Sequence, residues 1–202
     1  MVDTGNFTLR QILSNDNTAR LSLGNESYTP LKIFLKKTAF DFHQYEIAKT
    51  YVLIDQASSS SRVWGYITLM NSEILLNEGQ RPQESAATSK YEAFPAVKIA
   101  RLAVDKDLQG KGLGTRFLDW CINHVKLAIM PHVGCRFVVV DAKRESIAFY
   151  EKSGFVLLDT ESNRSDDHPL MLFDLYKSNA LSTAKYGALL GHSEVTNLET
   201  TQ

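Results

Sequence analysis

Eight consecutive residues, Leu108-Gln109-Gly110-Lys111-Gly112-Leu113-Gly114-Thr115, separate a strand-like segment from a helix-like one. Residues 96–104 before them are rich in branched apolar side chains, which is typical of a β-strand. After them, apolar side chains recur at helical spacing and predict one buried helix face: Leu113, Phe117, Leu118, Cys121, Ile122, Val125 and Ile129. Glycines therefore fall where a strand turns into a helix, and free amides at a helix start form an anion site. We expect a pyrophosphate there.

The spacing of the glycines decides which pyrophosphate ligand fits. A Walker loop needs Gly-x-x-x-x-Gly-Lys-Ser/Thr, but Gly110-Lys111 is followed by another glycine. The dinucleotide pattern Gly-x-Gly-x-x-Gly also fails, because its third glycine falls on a threonine or a phenylalanine. The pattern that fits is Gln-x-x-Gly-x-Gly, formed by Gln109, Gly112 and Gly114.

This pattern resembles the coenzyme A loop of the GNAT superfamily of N-acetyltransferases. On the loop alone, the alternative is a glycine-rich helix start that serves tight strand–helix packing. A second block supports the resemblance: Ser146-Ile147-Ala148-Phe149-Tyr150-Glu151-Lys152-Ser153-Gly154-Phe155. It is similar to the family's Ala-x-x-Phe-Tyr-x-x-x-Gly-Phe helix, which follows the fifth strand.

The composition is that of an ordinary soluble globular protein, with 202 residues, 44% hydrophobic and 22% charged. The net charge of −1 argues against a global basic field of the kind found in many nucleic-acid binders, but leaves room for a local basic patch. We expect Cys121 and Cys135 to be reduced core thiols. The sequence contains neither an apolar run of membrane-spanning length nor a signal-peptide pattern, so we expect a cytoplasmic protein.

The order of predicted elements matches the GNAT arrangement over roughly residues 7–176. It comprises a strand at 6–13, a helix from Pro30, a hairpin of 50–54 and 63–70 joined through 58–61, the central strand at 96–104, the glycine loop with its helix, a strand at 135–141, a helix at 145–153, and strands at 155–158 and 170–176. The polar residues 77–91 are expected to form a mobile loop, and residues 159–168 a connection. The resemblance implies an α/β (α+β) fold with a mixed central sheet of six to seven strands flanked by helices. We predict one domain over residues 1–177 and a tail, 178–202, that is flexible or a loosely docked helix.

The resemblance also implies that acetyl-CoA is the co-substrate and that a primary amine attacks its thioester directly. Donor binding would fall to Leu102, Ala103, Val104, Gln109, Gly110, Lys111, Gly112, Leu113, Gly114, Thr115, Ser146 and Phe149. Tyr150 occupies the position of the general acid that protonates the leaving thiolate. The structural alternative for Tyr150 is an aromatic residue at the edge of the core with a satisfied hydroxyl.

A general base is harder to find in the sequence. Many GNAT enzymes carry a glutamate on or near the central strand, but residues 96–104 include no carboxylate. Glu46, Glu73 and Asp105 are the substitutes considered. At pH 7 a lysine ε-amine is neutral in about one molecule in a few thousand, whereas an α-amine is neutral in roughly one in seven. A missing base therefore favours a weakly basic acceptor.

Shorter segments resemble the toxin-type GNAT branch, whose members acetylate the α-amine of aminoacyl-tRNA and are usually paired with a ribbon-helix-helix antitoxin. These segments are Phe34-Leu35-Lys36-Lys37-x-Ala39, Tyr51-Val52, Trp64-Gly65-Tyr66, Pro95-x-x-x-x-x-Arg101-Leu102-Ala103-Val104-Asp105 and Phe149-Tyr150-Glu151. Candidate RNA contacts are Lys36, Lys37, Lys49, Arg101, Lys143 and Arg144. The alternatives are a GNAT enzyme that acts on a small-molecule amine or a protein N-terminus, and a non-catalytic acetyl-CoA sensor.

The histidines and cysteines show no metal-ligand spacing, so no metal is predicted. The superfamily resemblance makes a homodimer an open alternative that the residues do not decide.

Overall fold

The computed structural model describes residues 7–56 and 61–177. Seven strands form one mixed sheet in the order β1-β2-β3-β4-β5-β7-β6. The strands are β1 (Phe7–Gln11), β2 (Lys49–Asp55), β3 (Val63–Leu75), β4 (Ala93–Val104), β5 (Phe137–Asp141), β6 (Val156–Leu157) and β7 (Leu170–Asp174). β4 and β5 are parallel, and every other neighbouring pair is antiparallel. The predicted fold class is confirmed.

Five α-helices flank the sheet in the described part of the chain: α1 (Thr29–Lys37), α2 (Ala39–Gln44), α3 (Leu113–His124), α4 (Ile147–Glu151) and α5 (Glu161–Ser165). Pro30 lies in the first turn of α1, where its missing N–H leaves no hydrogen bond unmade. The helix predicted from Pro30 is interrupted at Thr38, which separates α1 from α2. A π-helical turn, Val125–Ile129, continues α3.

The sheet has a separate apolar layer on each face, because alternate side chains of a strand point to opposite sides. On one face Val97, Ile99 and Val138 pack with α3 and with Tyr150 of α4. On the other face, Tyr66 and Ala103 pack against α1. The hydroxyl of Tyr66 donates to the carbonyl of Leu31 at 2.8 Å and fixes α1 on its face.

The two parallel strands diverge along their length. β4 pairs with β5 only from Ala96 to Lys98, although β4 continues to Val104 and β5 to Asp141. A bulge at Ala100, where the register of β3 and β4 shifts between Arg101 and Ile99, bends β4 in the same region. An opening therefore forms between the carboxyl ends of β4 and β5.

Several element boundaries differ from the sequence prediction. β3 runs five residues further than predicted, and the polar interval 159–168 contains α5, whose start is capped by Thr160. The loop 77–91 is anchored to the fold: Arg81 bonds to the carbonyls of Leu76 and Ser89, and Glu84 pairs with Arg136 at 2.7 Å. Most of the serine loop predicted at 58–61 and the whole tail 178–202 lie outside the described residues. The single domain over 1–177 stays a prediction.

Candidate active site

The opening between β4 and β5 forms a cavity of about 940 Å³. Its walls come from β4, β5, the glycine loop, α1, α4 and the loop before β7. We call the wall formed with α3 and α4 the α3 side, and the wall formed with α1 the α1 side. On the α3 side lie seven of the residues predicted to bind the donor or to act in catalysis: Leu102, Val104, Gln109, Gly114, Ser146, Phe149 and Tyr150.

The glycine loop, residues 109–115, presents its backbone on the α3 side. Gly112 is the N-cap of α3 in the left-handed conformation, at φ +77°, and makes no side-chain cap. The first amide that the helix itself satisfies belongs to Arg116, which donates to the carbonyl of Gly112 at 3.1 Å. The amides from Gly110 to Thr115 donate no backbone hydrogen bond within the described residues. Free amides together with the helix dipole make this loop a fitting cradle for a phosphate group.

The glycines of the loop have different reasons for being glycine. Gly110 and Gly112 both have φ above +70°, and an added Cβ at either would meet no atom within 4 Å. Gly114 has an ordinary φ, but its Cβ would lie 3.1 Å from the ring of Phe149. The first two allow the chain to turn, and the third allows α4 to approach α3.

Other predicted donor residues flank these. Ala103 lines the cavity but packs on the α1 side. Lys111 lies in the glycine loop between the cavity-lining residues Gln109 and Gly114, and Thr115 follows Gly114. The side chain of Leu113 is buried in the core. The side chain of Gln109 faces the protein: its Nε2 donates to the carbonyl of Val104 at 2.9 Å.

Tyr150 reaches the cavity from α4 and is only 7% exposed. No hydrogen bond to its hydroxyl exists within the described residues. The alternative of a structural tyrosine with a satisfied hydroxyl therefore has no support there. Burial raises the pKa of Tyr150 well above its usual value, and the nearby thiol of Cys121 adds to the rise. The phenol therefore stays protonated across the physiological range and is available as a proton donor.

The α1 side carries most of the charge. Lys98 points away from the α3 layer that its neighbours Val97 and Ile99 join, and it pairs with Asp141 of β5. Arg101 is exposed, and its guanidinium carbon lies 5.2 Å from the ring centre of Phe34 on α1. Lys143 donates to the carbonyl of Ser27, next to α1, at 3.0 Å. Within the described lining, three cations thus face one carboxylate, which is already paired.

None of the carboxylates considered as a base lines this cavity. Asp105 is fully buried and pairs with Arg62 at 3.0 Å. Glu46 pairs with Lys49 at 2.6 Å in the turn before β2. Glu73 is exposed on β3 beyond the bulge.

Of the basic residues predicted to contact RNA, some line the cavity and others lie outside its lining. Arg101 and Lys143 line the cavity, whereas Lys36 and Lys37 are exposed in the last turn of α1. Lys49 is engaged by Glu46. Arg144 is engaged elsewhere: its guanidinium donates to the carbonyls of Arg164 and Asp166 and anchors the loop after α5.

Sequence reasoning missed the cavity residues Met70, Lys98, Asp141 and His168. Lys98 and Asp141 meet across the diverging strands, Met70 is the β3 partner of Lys98, and His168 comes from the loop before β7. Among the described residues, no group of three His, Cys, Asp or Glu side chains is arranged to hold a metal ion. No helix in residues 7–56 or 61–177 has the length and hydropathy needed to cross a bilayer.

The family model described as "Acetyltransferase (GNAT) domain" matches residues 51–157, which is more than half of the chain. The chain belongs to the GNAT acetyltransferases. It is an acetyltransferase, and acetyl-CoA is its co-substrate. The resemblance stated from the glycine loop and the Tyr150 block is confirmed, and the matched range contains both.

Solved structures of toxin-type relatives share the fold. AtaT complexed with acetyl-methionyl-tRNAfMet is 25% identical, with a TM-score of 0.68 over 84% of this chain and 95% of AtaT. A tyrosine-to-phenylalanine variant of the toxin AtaT, bound to the C-terminus of the antitoxin AtaR and acetyl-CoA, is 25% identical with a TM-score of 0.66 over 85% and 94%. A tyrosine-to-phenylalanine variant of KacT is 25% identical with a TM-score of 0.68 over 85% and 96%.

Proposed function

We propose that this GNAT enzyme transfers the acetyl group of acetyl-CoA to the α-amine of an aminoacyl-tRNA. The observation that carries the proposal is the charge of the α1 side, where Lys98, Arg101 and Lys143 face a single carboxylate, Asp141, among the described lining residues. Such a wall attracts an acceptor that carries phosphates and repels a polyamine or a lysine-rich peptide. The structural likeness to AtaT, which was solved with acetyl-methionyl-tRNAfMet, supports this choice.

The donor would lie on the α3 side. The free amides of the glycine loop would hold the pyrophosphate, and the edge of β4 at Leu102 and Val104 would hold the pantetheine, since β5 has left that edge unpaired. Bound acetyl-CoA supplies a thioester whose acetyl group passes to the amine as the thiolate leaves. Ser146 and Phe149 would border the donor where α4 meets Gly114.

Tyr150 would act as the general acid. Tyr150 lines the cavity, its hydroxyl has no hydrogen-bond partner within the described residues, and it keeps its proton because burial raises its pKa. A departing thiolate takes up a proton, and a positioned phenol would deliver it. The direct attack that this role assumes requires no nucleophile from the protein.

A base is not needed for the proposed acceptor. An α-amine whose carboxyl group is acylated has a pKa near 7.8 and is neutral in roughly one molecule in seven at pH 7. The cations of the α1 side would further favour its neutral form by repelling an ammonium group. The absence of a free carboxylate from the described lining therefore agrees with an α-amine and disagrees with a lysine ε-amine.

We further propose that the protein is controlled by an antitoxin of the ribbon-helix-helix class. The support is the toxin AtaT, which binds the C-terminus of the antitoxin AtaR. Growth arrest on expression, relieved by Tyr150→Phe or by co-expression of a neighbouring ribbon-helix-helix gene, is the result that this proposal requires. The homodimer stays a prediction.

The test of the acceptor uses labelled acetyl-CoA with methionyl-tRNA, free methionine, spermidine and peptide N-termini in parallel. We expect acetylation of methionyl-tRNA and at least tenfold lower kcat/KM on the free amino acid, since it lacks the phosphates. Preference for spermidine or a peptide would overturn the acceptor assignment. Binding of acetyl-CoA without any acetylated product would favour the non-catalytic sensor instead.

A further inference from the structure

We infer that Asp105 is a positioning residue for acetyl-CoA binding, because its buried carboxylate fixes the base of the glycine loop to the end of β4. The inference depends on the proposed pyrophosphate site. Asp105 follows directly on Val104, the last residue of β4, and precedes the loop by four residues. It therefore lies between the strand edge proposed to hold the pantetheine and the amides proposed to hold the pyrophosphate.

The carboxylate of Asp105 is fully buried and accepts from three donors in different parts of the chain. Oδ2 accepts from the amide of Ser22 at 2.9 Å and from the guanidinium of Arg62 at 3.0 Å. Oδ1 accepts from the amide of Asp107 at 3.1 Å and caps the short turn that leads into the glycine loop. A buried carboxylate is stable only when its charge and lone pairs are satisfied, and these contacts do both.

The backbone of Asp105 also makes hydrogen bonds, which connect this position to β3 and to the start of the glycine loop. Its amide donates to the carbonyl of Trp64 on β3 at 2.8 Å, and its carbonyl accepts from the amides of Leu108 at 2.9 Å and Gln109 at 3.1 Å. The Gln109 side chain returns to Val104. Asp105 and the side chain of Gln109 thus both connect the start of the glycine loop to the end of β4.

The cation that balances Asp105 is itself fixed. Arg62 lies 3.6 Å from the ring centre of Trp64 and is largely shielded from solvent. An asparagine at position 105 would have only one accepting oxygen for donors that now bond to two, and it would leave Arg62 without its counter-charge. Asp105→Asn should therefore move the turn at Asp107 while leaving the buried volume almost unchanged.

The consequence for binding is specific to the pyrophosphate end of the donor. If the loop shifts relative to β4, its amides no longer meet the pyrophosphate while the thioester lies against the strand, and misplacement of about 1 Å can cost up to ~10²-fold. Acetyl-pantetheine has the thioester but lacks the pyrophosphate. A change at Asp105 should therefore affect acetyl-CoA and spare acetyl-pantetheine.

The experiment compares the full-length wild type with Asp105→Asn, using methionyl-tRNA as acceptor and either acetyl-CoA or acetyl-pantetheine as donor. We expect KM for acetyl-CoA to rise about tenfold or more, with kcat and the kinetics on acetyl-pantetheine changed less than about twofold. Calorimetric titration with coenzyme A should show the same loss of affinity without any acceptor. Gln109→Met, which removes the bond to Val104, should act in the same direction.

Asp16 offers a matched control. Its side chain is fully buried, pairs with Arg10 through two contacts, and accepts the amide of Leu13 at 2.8 Å, but it does not line the cavity. Asp16→Asn should lower the melting temperature and leave the affinity for coenzyme A unchanged. If Asp105→Asn impairs both donors equally, or behaves like Asp16→Asn, Asp105 is merely structural and the inference is wrong. If the wild type itself does not prefer acetyl-CoA over acetyl-pantetheine, the proposed pyrophosphate site fails instead.

Discussion

The two sides of the cavity recognise their ligands with different parts of the protein. On the α3 side the groups available for binding are backbone amides of the glycine loop and the edge of β4, with Tyr150 as the one titratable side chain among the seven predicted residues that line it. On the α1 side they are charged side chains: Lys98, Arg101, Lys143 and Asp141. The α3 side is thus suited to one invariable donor, while the α1 side can change its specificity by single substitutions. A substitution on one side should therefore leave ligand binding on the other side intact.

The largest effect is expected for Tyr150→Phe. If the hydroxyl protonates the leaving thiolate, kcat should fall by about 10²–10⁴-fold, while the affinity for coenzyme A changes little because the ring still fills its place. Rapid-quench measurement of acetyl transfer at saturating acetyl-CoA checks this.

Tyr66→Phe is the matched control for that variant, because Tyr66 is also buried but does not line the cavity. It loses a hydrogen bond to Leu31 and should be destabilised by about 1 kcal/mol, with kcat retained. A Tyr150→Phe enzyme with near-normal kcat would remove catalysis from the α3 side and leave it a binding surface only.

A smaller effect, on donor binding alone, is expected for Gly112→Ala. The alanine must adopt φ near +77°, which costs roughly 1–2 kcal/mol, and its Cβ meets no protein atom within 4 Å. The loop should relax away from the left-handed conformation and raise KM for acetyl-CoA about tenfold, with KM for methionyl-tRNA unchanged.

Gly79→Ala is a suitable comparison for Gly112→Ala, since its Cβ also meets open space but its φ is not positive and it lies in the loop 77–91, away from the cavity. It should be close to wild type. If Gly112→Ala alters the acceptor kinetics as much as the donor kinetics, the two sides are not separable.

How much of the site could be predicted depends on the same difference between its sides. Recognition of a ligand by backbone amides requires glycines at a fixed, short spacing in the chain. Gln109, Gly112 and Gly114 can therefore be identified from the sequence, and Tyr150 can be identified from its own motif. The pair of Lys98 and Asp141 is not, because it exists only where two strands from distant parts of the chain diverge.

Three further features escaped prediction for local reasons. α5 is a five-residue polar helix with no apolar stripe, so only its Thr160 cap could have signalled it. Residues 77–91 were expected to be mobile because they are polar, but polar side chains such as Arg81 also anchor a loop when carbonyls lie within reach. The burial of Asp105 could not be predicted either, because the sequence does not show whether a carboxylate after a strand faces solvent or pairs with Arg62.

The smallest effect, and the most informative about the acceptor, is expected for Arg101→Gln. Arg101 is exposed on the α1 side, so removing its charge should raise KM for methionyl-tRNA only a few-fold, by analogy with a single phosphate contact, and should reduce the slope of log affinity against log salt by about one. KM for acetyl-CoA should stay the same.

Lys90→Gln controls for net charge, because Lys90 is exposed in the loop 77–91 and does not line the cavity. If the acceptor were a polyamine, Arg101→Gln would lower its KM by relieving repulsion. The direction of the change therefore identifies the charge of the acceptor even before its chemical identity is known.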